Sequence, residues 1–205
     1  MKAIGITQFL DKSFDVYDFE GDWLESFGKP EKNFIMSVYG DSGHGKTEFA
    51  IKLTKYLASF SKVLYCSYEQ GISKSLQDAI KRNDMQDLKG KVMFTSGGVF
   101  DDLIIRLKRR ASGGIVIIDS LDYAKLTVEQ FKILKKTFPR KSFIILSWAR
   151  KDVPKSGPAK DIENMSCIKI LVKNFKAHPR SRFGGNKPFV IWDKKETTPV
   201  QQKLF

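Results

Sequence analysis

Residues 33–57, NFIMSVYGDSGHGKTEFAIKLTKYL, pass from an apolar segment through a glycine-rich turn into a stretch with Phe49, Leu53 and Leu57 at helical spacing. An apolar run ending in glycine reads as a strand buried on both faces, and the stretch after the turn reads as an amphipathic helix. Between them Gly40, Gly45, Lys46 and Thr47 satisfy G-x-x-x-x-G-K-[ST] in the strand–loop–helix context that gives the pattern its meaning. Glycines let successive backbone N–H groups curl inward around phosphate oxygens, and the start of the helix adds its positive dipole. Lys46 is placed to neutralise β- and γ-phosphates, and the Thr47 hydroxyl to ligate Mg²⁺. Gly40, Asp41, Ser42, Gly43, His44, Gly45, Lys46, Thr47 and Glu48 are therefore the candidate segment for holding a nucleoside triphosphate and its metal.

The rest of the chain repeats this alternation. KVLYCSYE, KVMFTS, GGIVIIDS and KSFIILSW read as strands, with ISKSLQDAIKRND, VFDDLIIRLKRRA and TVEQFKILKKTF as helices between them. Strands separated by helices of about 10–15 residues need crossover connections, so the expectation is an α/β domain whose mostly parallel central sheet is flanked by helices. After Trp148 the pattern changes. ARKDVPKSGPAKDIEN reads as a polar, basic loop holding two prolines. MSCIKILVKNF, HPRSRF and KPFVIW read as strands, the last two joined by a GGN turn into a C-terminal antiparallel hairpin. The expected organisation is an N-terminal appendage over 1–32, a core over 33–193 and a tail over 194–205 that lies at the surface or docks a partner. Within the appendage a short helix from Asp22 to Phe27 is stopped by Gly28 and Pro30. Trp23 there reads as a packing anchor, with docking of a protein partner as the alternative.

A chain of 205 residues fits one such domain. Its longest apolar runs fall far short of the ~20 residues of a membrane-spanning helix. The first twenty residues turn acidic quickly, which does not suit a secretory leader. Cys66 and Cys167 sit in apolar strand-like runs and read as free thiols of a reducing, cytoplasmic setting. The net charge of +13 is unevenly spread: residues 140–205 carry 15 Lys and Arg against 5 Asp and Glu, whereas residues 1–31 carry 3 against 7. A basic C-terminal third suits a polyanion, with nucleic acid the leading class, although a solvated basic surface gives the same count.

Two acidic residues complete the candidate chemistry. Asp119 ends the apolar run GIVIID, at the sheet edge where ligands bind in parallel sheets, and is placed to hold Mg²⁺ through a water. A capping role for it, or Asp122 as the metal partner, are the alternatives. Glu69 ends VLYCSYE on the same edge, where a carboxylate can orient and deprotonate the water that attacks a γ-phosphate. Position alone leaves open an exposed glutamate at a strand end.

GDSGHGKT, VLYCSYEQ and IVIIDSLD, in that order, resemble the RecA-like ATPases, especially the DnaB-type replicative helicase core and its relatives RadA and KaiC. The resemblance spans about residues 33–192. It implies a RecA-like P-loop fold, ATP and Mg²⁺ as cofactors, hydrolysis to ADP and phosphate with Glu69 and Lys46 catalytic, and assembly into a homo-oligomer. That family commonly carries a polar sensor, often Gln, where this chain has Trp148 after Ser147. It also sends a pair of basic residues from a late strand into the neighbouring subunit's site, and HPRSRF offers Arg180 and Arg182. Their period-2 spacing points both to one face of a strand, which also fits a basic hairpin tip in solvent. Mobile loops at 149–164 grip single-stranded DNA or RNA in the family, and Arg150, Lys151, Lys155 and Lys160 match them; a solvated loop is the alternative.

Three function classes are compatible with these residues. An oligomeric motor on nucleic acid predicts turnover raised by single strands. A KaiC-like nucleotide-dependent assembly switch predicts slow hydrolysis indifferent to them. A small-molecule kinase predicts labelled phosphate on an acceptor other than water.

Overall fold

The computed structural model describes residues 3–192, so the tail at 194–205 lies outside the described residues. Helices α1 (Ile6–Leu10) and α2 (Gly21–Phe27) precede β1 (Ile35–Gly40) and α3 (Lys46–Leu57). Then come β2 (Val63–Ser67), α4 (Lys74–Arg82), β3 (Val92–Ser96), α5 (Phe100–Lys108) and β4 (Ile115–Asp119). A single turn α6 (Leu121–Ala124) and α7 (Val128–Thr137) lead to β5 (Ser142–Arg150), β6 (Val153–Pro154) and α8 (Gly157–Met165). The chain continues through β7 (Ile168–Lys173), β8 (Lys176–Ser181) and β9 (Phe189–Val190).

The strands form one sheet in the order β3-β2-β4-β5-β1-β7-β8-β9, with β6 paired to the end of β5. From β3 to β7 every pairing is parallel, and β8 and β9 add antiparallel. Unbroken apolar strands are explained by helices on both faces. In β4, Ile115 and Ile117 enter one core with Leu53 and Leu57 of α3, while Val116 and Ile118 enter the other with Phe131 of α7 and Ile162 of α8. The chain leaves β1 over one face through α3 and returns to β7 over the other through α8, which opens a crevice at the C-terminal end of β1.

Residues 17–31 pack into the first of these cores. Tyr17, Phe19 and Phe27 are buried there, and Trp23 stacks on Tyr56 with ring centroids 4.7 Å apart and 9° between planes. Cys66 is buried and Cys167 half-buried, both as free thiols, and burial pushes the Cys66 thiol up to about 12. Among the described residues no helix is long and apolar enough to cross a membrane.

Two readings of the C-terminal third are corrected. Residues 149–164 are not a polar loop: β5 runs on to Arg150, turns through Lys151 and Asp152, pairs back through β6 and enters α8. Lys151 and Asp152 both take positive φ (54° and 61°), as a type I′ hairpin turn requires. The prolines that suggested a loop are tolerated, because Pro158 occupies the first turn of α8, where no N–H partner is needed. The hairpin, in turn, is closed by Asn174 and Phe175 between β7 and β8, again with positive φ (50° and 57°). The GGN stretch lies in a wider loop, and β9 pairs with β8 only at Lys176–Val190 and Ala177–Phe189.

Candidate active site

The glycine-rich loop sits at the crevice because β1 ends there in a residue that can have no side chain. A Cβ on Gly40 would lie 2.3 Å from the Val172 carbonyl oxygen of the neighbouring strand. At the loop's other end Gly45 takes φ +94°, which lets the chain turn into α3. Lys46 Nζ donates to the carbonyls of Gly40 (2.8 Å) and Asp41 (2.9 Å), so the lysine folds back over the loop that precedes it. Burial pulls its ammonium below the ordinary lysine range, and Glu69 and Asp119 oppose that shift.

A cleft of about 410 Å³ joins this loop to both acidic candidates, with Lys46, Thr47, Glu69 and Asp119 in its wall. Asp119 is 3% exposed and accepts the Tyr65 hydroxyl on Oδ2 at 2.5 Å. Burial raises its carboxyl from the ordinary 3.8 to about 6; the Tyr65 hydrogen bond opposes the rise and the charge of Glu69 adds to it. The Asp119 carbonyl also accepts the amides of Tyr68 (2.6 Å) and Glu69 (3.0 Å), which bends the chain out of β2 and brings Glu69 round to the cleft. The Asp122 carboxylate is engaged elsewhere, accepting the Trp148 amide at 2.9 Å.

The donor set suits a hard cation. Thr47 offers a hydroxyl, Asp119 a carboxylate, and the buried Ser67 hydroxyl, paired in register with Asp119, has no hydrogen-bond partner among the described residues. Among the described residues no group of three or more His, Cys, Asp or Glu could hold a metal unaided. Mg²⁺ here would be held by Thr47 and Asp119 with waters and phosphate oxygens, its usual company at such sites.

The remaining predicted residues fall partly in the cleft wall and partly outside it. Glu48 accepts from Arg82 (3.0 Å) and Asn83 (2.6 Å), tying the first turn of α3 to the end of α4. His44 ties the loop to the β7–β8 turn: its Nδ1 accepts the Asn174 amide at 3.2 Å and its carbonyl the Phe175 amide at 3.3 Å. Trp148 does not line the cleft; Tyr123 packs edge-on to its ring and the Lys155 ammonium lies 4.9 Å over it. Arg150, Lys151, Lys155 and Lys160 are all exposed, the first three on the β5–β6 hairpin and its exit, Lys160 on α8.

Arg180 and Arg182 are not brought to the cleft of their own chain. Arg180 donates to the Tyr39 hydroxyl at 3.2 Å and lies 3.9 Å from Glu163. The Arg182 amide donates to the Cys167 carbonyl, and the Cys167 amide to that of Ile35. Arg182 is thus level with the start of β1, about 16 Å of strand from Gly40.

Sequence reasoning missed Tyr65, Arg82, Phe175 and Trp192, the last three of which line the cleft. A tyrosine in an apolar strand and aromatic residues in a late hairpin carry no local signal of a site, because the sheet order alone brings them there.

No protein-family model matches the sequence, and no curated protein matches it either. Solved structures do. A KaiC-like protein of the hyperthermophilic archaeon Pyrococcus horikoshii superposes with a TM-score of 0.57 at 16% identity, over 78% of this chain and 90% of that one. The flagellar accessory protein FlaH of Methanocaldococcus jannaschii gives 0.60 at 14% identity, over 87% and 97%. The fold is RecA-like. The RecA-like core accounts for the parallel sheet, the loop at the end of β1 and the antiparallel strands that come after β7.

Proposed function

We propose that this chain binds ATP with Mg²⁺, hydrolyses it at the cleft between β1, β2 and β4, and does so as a homo-oligomer acting on single-stranded nucleic acid. The observation that carries the reading is the convergence of Lys46, Thr47, Glu69 and Asp119 on one cleft from separate stretches of the chain. The phosphate tail lies in the loop, where backbone amides and Lys46 offset its charge. Mg²⁺, held by Thr47 and Asp119, would supply charge neutralisation at the phosphates. Glu69 orients the attacking water and takes its proton, and Lys46 stabilises the charge that gathers on the γ-phosphate oxygens.

The position of Arg182, remote from its own cleft, supports action on a neighbour's. Assembly is supported further by Ile6, Leu10, Phe9 and Phe14, which are 73%, 75%, 51% and 49% exposed and offer a partner apolar surface beside acidic residues. We expect the double variant Ile6→Asp/Leu10→Asp to run as a smaller species than wild type in size-exclusion chromatography with light scattering. Equal masses would remove this segment from the interface.

Nucleic acid is supported by the exposed cations of the β5–β6 hairpin and α8, which suit sequence-independent phosphate contacts. One observation favours a second reading, a nucleotide-dependent assembly switch: Trp148, at the sensor position, packs against Tyr123 and Lys155 and not toward the cleft. ATP turnover at low salt with and without single-stranded DNA separates the two. The motor reading expects a several-fold rise; no rise and no binding leave the switch. In the same assay Glu69→Gln and Arg182→Ala should each lower turnover at least ten-fold. Mixing them should restore part of it, since one kind of interface then keeps both groups; no recovery places Arg182 outside the reaction.

A further inference from the structure

Beyond the phosphate loop the cleft continues into a corner that the motifs do not mark. Phe175, in the tight turn between β7 and β8, packs so closely on the loop that a Cβ at Gly45 would lie 3.1 Å from its Cδ1. Trp192 comes just after β9 and meets Phe175 edge-on, with ring centroids 6.1 Å apart and 85° between planes. Their backbones are joined as well, since the Phe175 carbonyl accepts the amides of Ile191 (2.9 Å) and Trp192 (3.4 Å). On the other flank the Arg82 guanidinium lies 5.8 Å from the centre of the Trp192 ring and is held by Glu48 of α3. The corner is therefore anchored twice to the nucleotide-loop region, through His44 to the hairpin turn and through Glu48 to Arg82.

Two aromatic rings with a cation behind one of them make an apolar, electron-rich wall a few ångströms from where the phosphates would lie. Such a wall binds a flat heterocycle by stacking, and stacking does not distinguish one purine from another. Discrimination would need free polar groups aimed at the base edge. Among the described residues of this wall, the Gln70 oxygen, the Ser75 hydroxyl and the Glu48 carboxylate are already taken. Ser75 Oγ donates to Gln70 Oε1 at 3.0 Å, and Glu48 is shared by Arg82 and Asn83.

We propose that Phe175 and Trp192, backed by Arg82, seat the base of the nucleotide, and that the site accepts purine triphosphates as a class, adenine and guanine alike. This rests on the nucleotide-binding reading above and names the substrate class of the same cleft. The larger purine ring covers more of the aromatic wall than a pyrimidine does, so CTP and UTP bind more weakly.

The test is a set of titrations in Mg²⁺ buffer with ATP, GTP, CTP and inorganic tripolyphosphate, monitored by calorimetry and by tryptophan fluorescence. Wild type is compared with Trp192→Ala, Trp192→Phe and Lys46→Ala. The expected result is that ATP and GTP bind within about three-fold of each other and CTP about ten-fold more weakly. Trp192→Ala then loses about ten-fold or more in ATP affinity while its tripolyphosphate affinity stays within about two-fold. That unchanged tripolyphosphate binding also reports a folded loop, and Trp192→Phe, which keeps a ring, stays within about three-fold for ATP. ATP affinity unchanged in Trp192→Ala overturns the seat, and a preference for ATP over GTP of about fifty-fold overturns the class. The underlying reading fails by a different sign: Lys46→Ala that binds ATP and tripolyphosphate as wild type does.

Discussion

Glu69→Gln is expected to lower ATP hydrolysis by about 10²–10⁴-fold, the range a positioned general base contributes, while ATP affinity stays within a few-fold of wild type. The substitution keeps the size and the hydrogen-bonding oxygen of the side chain and removes only its capacity to take a proton. Its backbone place is secured independently, by the Tyr68 and Glu69 amides on the Asp119 carbonyl, so the loop should hold its course. One electrostatic effect works in favour of binding. Glu69 is a negative charge in the same cleft as the phosphates, and its removal takes away a repulsion. Multiple-turnover rates and calorimetric affinities, measured on the same preparation, separate the two quantities. Loss of binding in parallel with rate would make Glu69 a structural residue of the cleft, and an unchanged rate would remove it as the base.

What could be read from the residues is what local chemistry encodes. Apolar runs such as IVII of β4 announce a sheet covered on both sides, since each successive residue needs a core to enter. The loop at Gly40–Thr47 is legible because glycine spacing records its backbone conformation, with positive φ at Gly43 and Gly45. The segment 149–164 was illegible for the opposite reason. Its turn is built on Lys151 and Asp152, with no glycine at either positive-φ position, and Pro158 looks like a breaker until its place in the first turn of α8 is known. The helix has only Ala159 and Ile162 as buried anchors, too few to outweigh the surrounding charge. The aromatic corner was hidden by distance along the chain: Arg82, Phe175 and Trp192 meet only because β7 and β8 are added to the sheet beside β1. Tyr65 was hidden by its surroundings, an ordinary strand tyrosine whose hydroxyl matters only once β2 lies beside β4.

Asp119→Asn should make the metal-free protein more stable at neutral pH and leave it unchanged in acid. The carboxyl sits in an apolar strand end that disfavours its charge, so it titrates at about 6 in the folded chain against an ordinary 3.8 when unfolded. Between those values the folded protein holds a proton the unfolded chain has released, so stability falls as pH rises through the interval and stays low above it. A difference of about two pKa units corresponds to about 2–3 kcal/mol at pH 8, vanishing below about pH 4. Asparagine keeps an oxygen to accept the Tyr65 hydroxyl, so little is lost in exchange. With Mg²⁺ and ATP present the order should reverse, because wild type gains ligand-linked stability through a carboxylate the variant lacks. That gain should itself weaken below about pH 6, where Asp119 takes up its proton. Urea unfolding from pH 4 to 8, with and without Mg²⁺–ATP, reads all three effects. A variant whose advantage did not change with pH would show that Asp119 bears no buried charge. A variant that gained as much from Mg²⁺–ATP as wild type would show that the metal is held elsewhere.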